Sequence, residues 1–154
     1  MAIIFDPATM STGDATIDAQ HRQLISIING LLEAMATGQG KDAIGPSLTK
    51  LAGYTRTHFT YEEGCMQRYA RPVAAANKKA HADFLDVFAA FSAEFNQTGP
   101  TSILAMKLKT AVGDWLRNHI VGTDTKLRSC IPAAGRIASE VVNTRMELKL
   151  FSSS

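Results

Sequence analysis

The stretch NKKAHADFLDVFAAFSAEF, residues 77–95, places Asn77 and His81 in line with four phenylalanines, Phe84, Phe88, Phe91 and Phe95. The six positions are separated alternately by four and three residues, which is the spacing of the core-facing stripe of a bundle helix. An amide followed one turn later by an imidazole is an unusual start for such a stripe. The pattern predicts a long amphipathic helix with a polar site buried at its beginning.

Three further segments repeat this periodicity, and stretches rich in Pro and Gly separate them. Few segments alternate or are rich in β-branched residues, so strands are not expected. Four helices of about 20 residues with short loops predict an all-α, antiparallel up-down-up-down four-helix bundle. The predicted helices run from Asp18, as the N-cap, to about Thr37, from about Ser47 to Tyr69, from about Val73 to Asn96, and from about Thr101 past His119.

The whole chain, residues 1–154, is expected to form one domain. It comprises a short N-terminal arm, a bundle core at about 17–130 and an additional C-terminal helix at about 133–151. The apolar positions Ile137, Val141, Leu148 and Phe151 of this last helix fall roughly on one face. That face either packs on its own bundle or forms a homodimer or partner contact.

Composition excludes several classes of protein. Apolar residues make up 45% of the chain and the net charge is +2, with basic residues scattered, so no nucleic-acid partner is expected. No apolar stretch approaches the roughly 20 residues of a membrane-spanning helix. The N-terminus lacks a signal-peptide pattern, and two cysteines suit a reducing compartment, so we expect a cytoplasmic protein.

The polar residues of the four stripes should meet at one level of the bundle. His21 opens the first helix, His58 and Glu62 lie near the end of the second, and His119 lies near the end of the fourth. An antiparallel arrangement brings these ends together with Asn77 and His81. One histidine in a core usually makes a hydrogen bond there, but four histidines with a carboxylate need stronger compensation, which a metal ion provides.

Asp124 follows His119 by five residues, which places it about 140° away around an ideal helix. Spacing alone therefore favours an exposed aspartate. A wide turn, a π-bulge or a frayed helix end after His119 would direct its carboxylate inward.

Four segments of the chain resemble the hemerythrin family, in particular the single-domain bacteriohemerythrins. They are IDAQHRQL (17–24), HFTYEEGCM (58–66), KAHADF (79–84) and WLRNHIVGTD (115–124). The resemblance implies a cofactor of two iron ions joined by an oxo or hydroxo bridge, with O2 as the ligand. It also implies the same bundle fold that the periodicity predicts.

The resemblance further implies a role for each residue at this level. His21 and His58 would bind the iron that keeps an open position for O2, and His81 and His119 would bind the other iron. Glu62 and Asp124 would bridge the two. The adjoining apolar residues would pack the core and shield bound O2 from water; they are Leu24, Ile28, Phe84 and Trp115.

Asn77 departs from the family, which has a histidine ligand at this position. Three outcomes remain open: Asn77 is a ligand through its oxygen, a water takes the ligand's place with Asn77 hydrogen-bonded nearby, or one iron binds weakly. We favour the water. Glu63 is a conceivable substitute ligand, but it lies one residue off the stripe, which favours a solvated side chain.

The leading functional prediction is a non-haem di-iron protein that binds O2, or a related diatomic, for carriage, storage or sensing. We expect a binding protein rather than an enzyme. The alternative is a di-iron enzyme acting on peroxide or nitric oxide, which an open position beside Asn77 would favour. A sensor whose C-terminal helix contacts a partner is a third possibility.

Overall fold

The computed structural model describes residues 2–132, which form a bundle of four long helices. Its elements are α1 (Pro7–Met10), α2 (Ala15–Ala36), α3 (Lys41–Tyr69), α4 (Arg71–Thr98), α5 (Ser102–Lys107), a π-helical segment (Leu108–Asp114), α6 (Trp115–Gly122) and a 3-10 helix (Asp124–Ser129). The segments from α5 to α6 are continuous and make the fourth bundle helix. Helix α2 packs on α3, α3 on α4, and the fourth helix on α2 and α4. The all-α four-helix bundle is confirmed.

Two other predictions concern membrane-spanning segments and the C-terminal helix. Within residues 2–132, no helix has both the length and the hydropathy needed to cross a membrane. The predicted C-terminal helix at 133–151, and with it the proposed homodimer or partner contact, lies outside the described residues.

The N-cap of α2 lies four residues before the predicted cap at Asp18. Asp14 caps the helix instead, by accepting a hydrogen bond from the backbone N–H of Ile17 at 2.9 Å. Asp18 is fully buried and accepts hydrogen bonds from the Ser11 hydroxyl at 2.7 Å and from the backbone N–H and hydroxyl of Thr12, both at 2.8 Å. The prediction was wrong because this second aspartate anchors the N-terminal arm to α2.

Helix α3 begins at Lys41 rather than at the predicted Ser47, with Pro46 inside it. A proline in the sixth position removes one backbone hydrogen bond near the helix start. Ile44 and Leu48, one turn apart on either side of Pro46, are 1% and 5% exposed. Their burial on the same face stabilises helical backbone on both sides of the proline.

The fourth helix widens between Leu108 and Asp114, where the backbone adopts π-helical hydrogen bonding. Its most buried side chains then recur at intervals of four residues: Leu104, Leu108, Val112, Leu116 and Ile120. The N-terminal arm covers this segment closely, since a Cβ atom added to Gly113 would lie 2.8 Å from Cδ1 of Ile3. Glycine therefore allows the arm to lie against the wide turn.

Buried apolar residues form two clusters along the bundle axis. The larger cluster includes Leu24, Ile28 and the four phenylalanines of α4. The smaller one closes the other end of the bundle and contains Ile17, Met66, Ala70, Ala74, Leu127 and Ile131. The polar level predicted from the sequence lies between the clusters, so it is enclosed from both directions.

The Asp18→Ala variant should unfold with a free energy lowered by about 2–3 kcal/mol, because it leaves the Thr12 N–H and hydroxyl without their buried acceptor. Chemical denaturation monitored by circular dichroism measures this loss. Asp86→Ala, which removes an exposed aspartate from α4, is the control and should change stability by less than about 0.5 kcal/mol. An equal effect of the two substitutions would contradict the anchoring role of Asp18.

Candidate metal centre

All of the predicted polar residues lie at one level of the bundle and are buried. Helices α2 and α6 each contribute one of these residues, and α3 and α4 each contribute two. The seventh is the first residue of the 3-10 helix. Their exposed fractions range from 0% to 8%: His21, His58, Glu62, Asn77, His81, His119 and Asp124. The antiparallel fold therefore brings six of these side chains together at the level expected from the sequence, and Asp124, for which spacing alone favoured an exposed position, joins them.

The histidines and carboxylates form two overlapping groups. In each group, one potential ligand atom from every residue lies within 4.8 Å of the others. The first group is His21, His58, Glu62 and Asp124; the second is Glu62, His81, His119 and Asp124. Two histidines are particular to each group and both carboxylates are common to the two.

The two oxygens of Glu62 face different histidines. Oε2 lies 3.4 Å from Nε2 of His21 and 3.5 Å from Nε2 of His58. Oε1 lies 3.2 Å from Nε2 of His81. This single carboxylate therefore spans both groups, in the orientation that a bridging ligand requires.

Asp124 spans the groups in the same way. Its Oδ2 lies 3.2 Å from Nε2 of His21, and its Oδ1 lies 3.1 Å from Nε2 of His119. The inward direction arises because α6 ends at Gly122 and a tighter 3-10 helix begins at Asp124. The π-helical widening of this chain precedes His119 and does not follow it. The end of α6 therefore turns Asp124 inward, although ideal helical spacing would place it about 140° around the helix from His119.

Asn77 lies against the second group. Its Nδ2 donates a hydrogen bond to Oε1 of Glu62 at 3.2 Å, and its Oδ1 lies 2.8 Å from Nε2 of His119. The amide therefore faces the carboxylate and the imidazole directly. Among the described residues no other histidine is available, since the chain has only four.

The buried atoms of this level fit a bound cation. Five of them have no hydrogen-bond partner: both ring nitrogens of His21, Oε2 of Glu62 and both carboxylate oxygens of Asp124. Leaving such groups unpaired in the interior is costly, and cations held by the two groups would give the carboxylate oxygens and Nε2 of His21 a partner. A donor set of imidazole nitrogens and carboxylate oxygens suits iron, manganese or zinc.

The pKa values of the buried histidines and carboxyls are shifted by their mutual proximity. Burial by itself lowers the pKa of His21, but Asp124 and Glu62 outweigh burial and raise that pKa to about 9. Burial and the neighbouring His21 lower the pKa of His58 to about 3. The surrounding imidazoles outweigh burial at both carboxyls and hold the pKa of Glu62 and that of Asp124 below their usual values. A proton on His21 thus does in part what a cation would do.

Two contacts to the outer histidine nitrogens were not identified as such from the sequence. Nδ1 of His58 lies 2.7 Å from Oε1 of Gln20, and Nδ1 of His81 lies 3.0 Å from Oε1 of Glu63. In each contact the side-chain oxygen accepts a hydrogen bond from Nδ1–H, which leaves Nε2 free to face the centre. The Glu63 side chain, 27% exposed, orients His81 from outside the centre and is not simply solvated. Gln20 and Glu63 each lie next to a residue of the core-facing stripe. This position brings a side chain to the boundary between two helices, but only the packing of the helices shows which histidine it contacts.

Two of the histidine rings stack on aromatic side chains. The ring of Phe59 stacks on His81 with centroids 3.7 Å apart, and that of Trp115 stacks on His119 with centroids 4.5 Å apart. Trp115 also stacks on Phe84 at 4.3 Å. These contacts restrict rotation of the imidazoles, which keeps their nitrogens directed at the centre.

A small cavity of about 10 Å³ lies beside the centre in the larger apolar cluster. A space of this size holds about one water-sized molecule. Three of the four residues predicted to shield the ligand line it, whereas Trp115 does not and instead packs on His119. The complete lining is Leu24, Ile28, Leu51, Thr55, Phe59, Phe84, Val112 and Leu116.

The fold and the centre together define a helical-bundle protein of the cation-binding type. The Hemerythrin HHE cation binding domain model matches residues 12–130, and the chain belongs to the hemerythrin family. Its relatives include the bacteriohemerythrin of Stenotrophomonas maltophilia (strain R551-3), 33% identical over 80% of this chain and 78% of that protein. The bacteriohemerythrin of Methylococcus capsulatus (strain Bath) is 32% identical over 82% of this chain and 94% of that protein. A crystal structure of wild-type hemerythrin matches with a TM-score of 0.75 at 29% identity, covering 84% of this chain and 98% of that one.

The Gln20→Leu variant should bind divalent metal roughly 10- to 100-fold more weakly, because His58 loses the acceptor that orients its ring. Cobalt(II) titration against a competing chelator measures this affinity. Gln23→Leu, which makes the same change at an exposed position of α2, is the control and should bind cobalt like the unsubstituted protein. Equal affinities of the two variants would show that the Gln20 contact does not position His58.

Proposed function

We propose that this protein is a non-haem di-iron protein that binds O2, or a related diatomic, reversibly. One iron would be held by His21 and His58 and the other by His81 and His119, with Glu62 and Asp124 shared between them. Membership of the hemerythrin family supports a di-iron, oxygen-binding protein. The observation that carries the assignment is that both carboxylates direct separate oxygens at separate histidine pairs.

When bound, the iron pair supplies the electrons that reversible binding of O2 requires. The chain's own residues supply the surroundings. Leu24, Ile28 and Phe84 line the adjoining cavity and exclude water from it, which protects a bound ligand from proton transfer. The stacked rings of Phe59 and Trp115 keep His81 and His119 in place.

The biological role that we propose is O2 carriage, storage or sensing. We place the protein in the cytoplasm, a proposal supported by two free thiols, Cys65 and Cys130, which suit a reducing compartment. A role in sensing would involve the C-terminal region, which lies outside the described residues.

Asn77 favours a second candidate function, a di-iron enzyme that acts on peroxide or nitric oxide. An asparagine oxygen is a harder and weaker donor than imidazole and has a shorter reach. With Asn77 hydrogen-bonded to Glu62, the second iron would have two histidines, like the first, and a further position open to water or substrate. A pair with two open positions is better suited to turnover than one with a single open position.

The purified protein should contain two irons per chain, and its reduced form should gain a new absorption band in O2 that disappears when O2 is removed. Metal analysis combined with absorption spectroscopy makes both measurements. Asp124→Asn should lower the iron content, because it removes the negative charge and one of the two oxygens of a shared carboxylate, whereas Asp114→Asn on the exposed side of the fourth helix should not. One metal per chain, or zinc, would contradict the proposal.

The Asn77→His variant should hold its second iron more tightly and keep the oxygenated form for longer, because an imidazole would fill the additional position. Chelator competition measures the first effect, and the decay of the O2-dependent absorption measures the second. Steady consumption of peroxide should fall in the same variant. A wild-type protein with two tightly held irons and a long-lived oxygenated form, both unchanged in Asn77→His, would exclude the second candidate function.

A further inference from the structure

The cavity beside the centre is placed one helical turn from every histidine. Each bundle helix contributes a lining residue three positions from its own histidine, on the side of the larger apolar cluster. These residues are Leu24 after His21, Thr55 before His58, Phe84 after His81 and Leu116 before His119. A small ligand bound at the centre on this side would therefore extend into the cavity.

Thr55 is the one residue of this lining with a polar side chain. It is 4% exposed and lies on α3, the helix that also supplies His58 and Glu62. Its neighbours in the lining are aliphatic and aromatic, and none of their side chains accepts a conventional hydrogen bond. A buried hydroxyl in apolar surroundings is unfavourable unless it has a partner.

Other threonines of α3 satisfy their hydroxyls within the helix. Thr49, Thr57 and Thr60 each donate to the backbone carbonyl four residues earlier, at 3.3, 3.1 and 2.9 Å. The Thr55 hydroxyl, by contrast, makes no hydrogen bond to a residue within 2–132. A threonine hydroxyl in a helix that does not use the local carbonyl is free to bond a group outside the helix.

We infer that the Thr55 hydroxyl donates a hydrogen bond to the diatomic ligand held in this cavity, and so positions and retains it. The inference rests on the proposed function, because it requires that O2 binds at the neighbouring centre. Hydrogen bonds strengthen when the acceptor carries negative charge. Thr55 would therefore stabilise a ligand that has gained electron density more than it stabilises one that is neutral and apolar.

The test compares three variants of the full chain loaded with iron under reducing, anaerobic conditions. Thr55→Val replaces the hydroxyl with a methyl group of nearly the same volume, and Thr55→Ser restores a hydroxyl. Thr57→Val makes the same chemical change at an exposed position of α3. The readouts are iron content, the rate of O2 loss by stopped-flow absorption, the vibrational frequency of the bound O2 in H2O and D2O, and Tm.

We expect Thr55→Val to lose O2 roughly tenfold faster, the effect of one lost hydrogen bond, with unchanged iron content. Its ligand vibration should shift and lose its dependence on D2O, while Thr55→Ser and Thr57→Val should behave like the wild type. The Tm of Thr55→Val should be equal to or above that of the wild type, because the hydroxyl has no hydrogen-bond partner among residues 2–132. A structural role would instead lower Tm.

Several outcomes would overturn the inference. One is a wild type that binds O2 with Thr55→Val indistinguishable from it in both O2 loss and vibrational frequency; the proposed function would then stand alone. Another is a lowered Tm in Thr55→Val, which would reveal an internal partner for the hydroxyl. A wild type that takes up no iron or no O2 would overturn the proposed function and this inference together, and metal analysis separates that case from the others.

Discussion

Two carboxylates and four imidazoles are buried at one level of the bundle. The negative charge of the carboxylates must be balanced there, and the rest of the structure is arranged around this requirement. Burying an ionised carboxylate without compensation is among the most unfavourable events in folding. Here the compensation comes from imidazoles at 3.1 to 3.5 Å from Glu62 and Asp124. A pair of metal cations held between these groups would complete it.

The remainder of the fold keeps this level closed and ordered. The larger apolar cluster packs on one side, and the smaller cluster, which includes Leu127 and Ile131 from the end of the described chain, covers the other. The break between α6 and the 3-10 helix has two effects at once, because it directs Asp124 inward and carries Leu127 over the end of the bundle. Outer contacts from Gln20 and Glu63, and the stacked rings of Phe59 and Trp115, orient three of the imidazoles.

Asn77 makes the two halves of the centre nearly alike in donors. Each half has two histidines and a share of both carboxylates, and the amide of Asn77 joins Glu62 to His119 within the second half. An amide can bond a carboxylate and an imidazole together, since it offers both a donor and an acceptor. Asn77 therefore supplies packing and hydrogen bonding at this position, and it is a weaker metal donor than an imidazole.

The bundle and the level of its polar residues follow from the spacing of residues along the chain. Alternating steps of three and four residues specify which side of each helix faces the core, and antiparallel topology then sets which ends meet; Asn77, His81 and Glu62 were predictable on this basis. Three features became visible only in the folded structure: the direction of Asp124, the π-helical widening before Trp115, and the cap at Asp14. Tertiary structure also decided that Gln20 and Phe59 contact histidines of neighbouring elements and that Thr55 borders a cavity. The physical reason is that periodicity assumes a uniform helix, whereas local changes in helical pitch and contacts between helices depend on how the whole bundle packs.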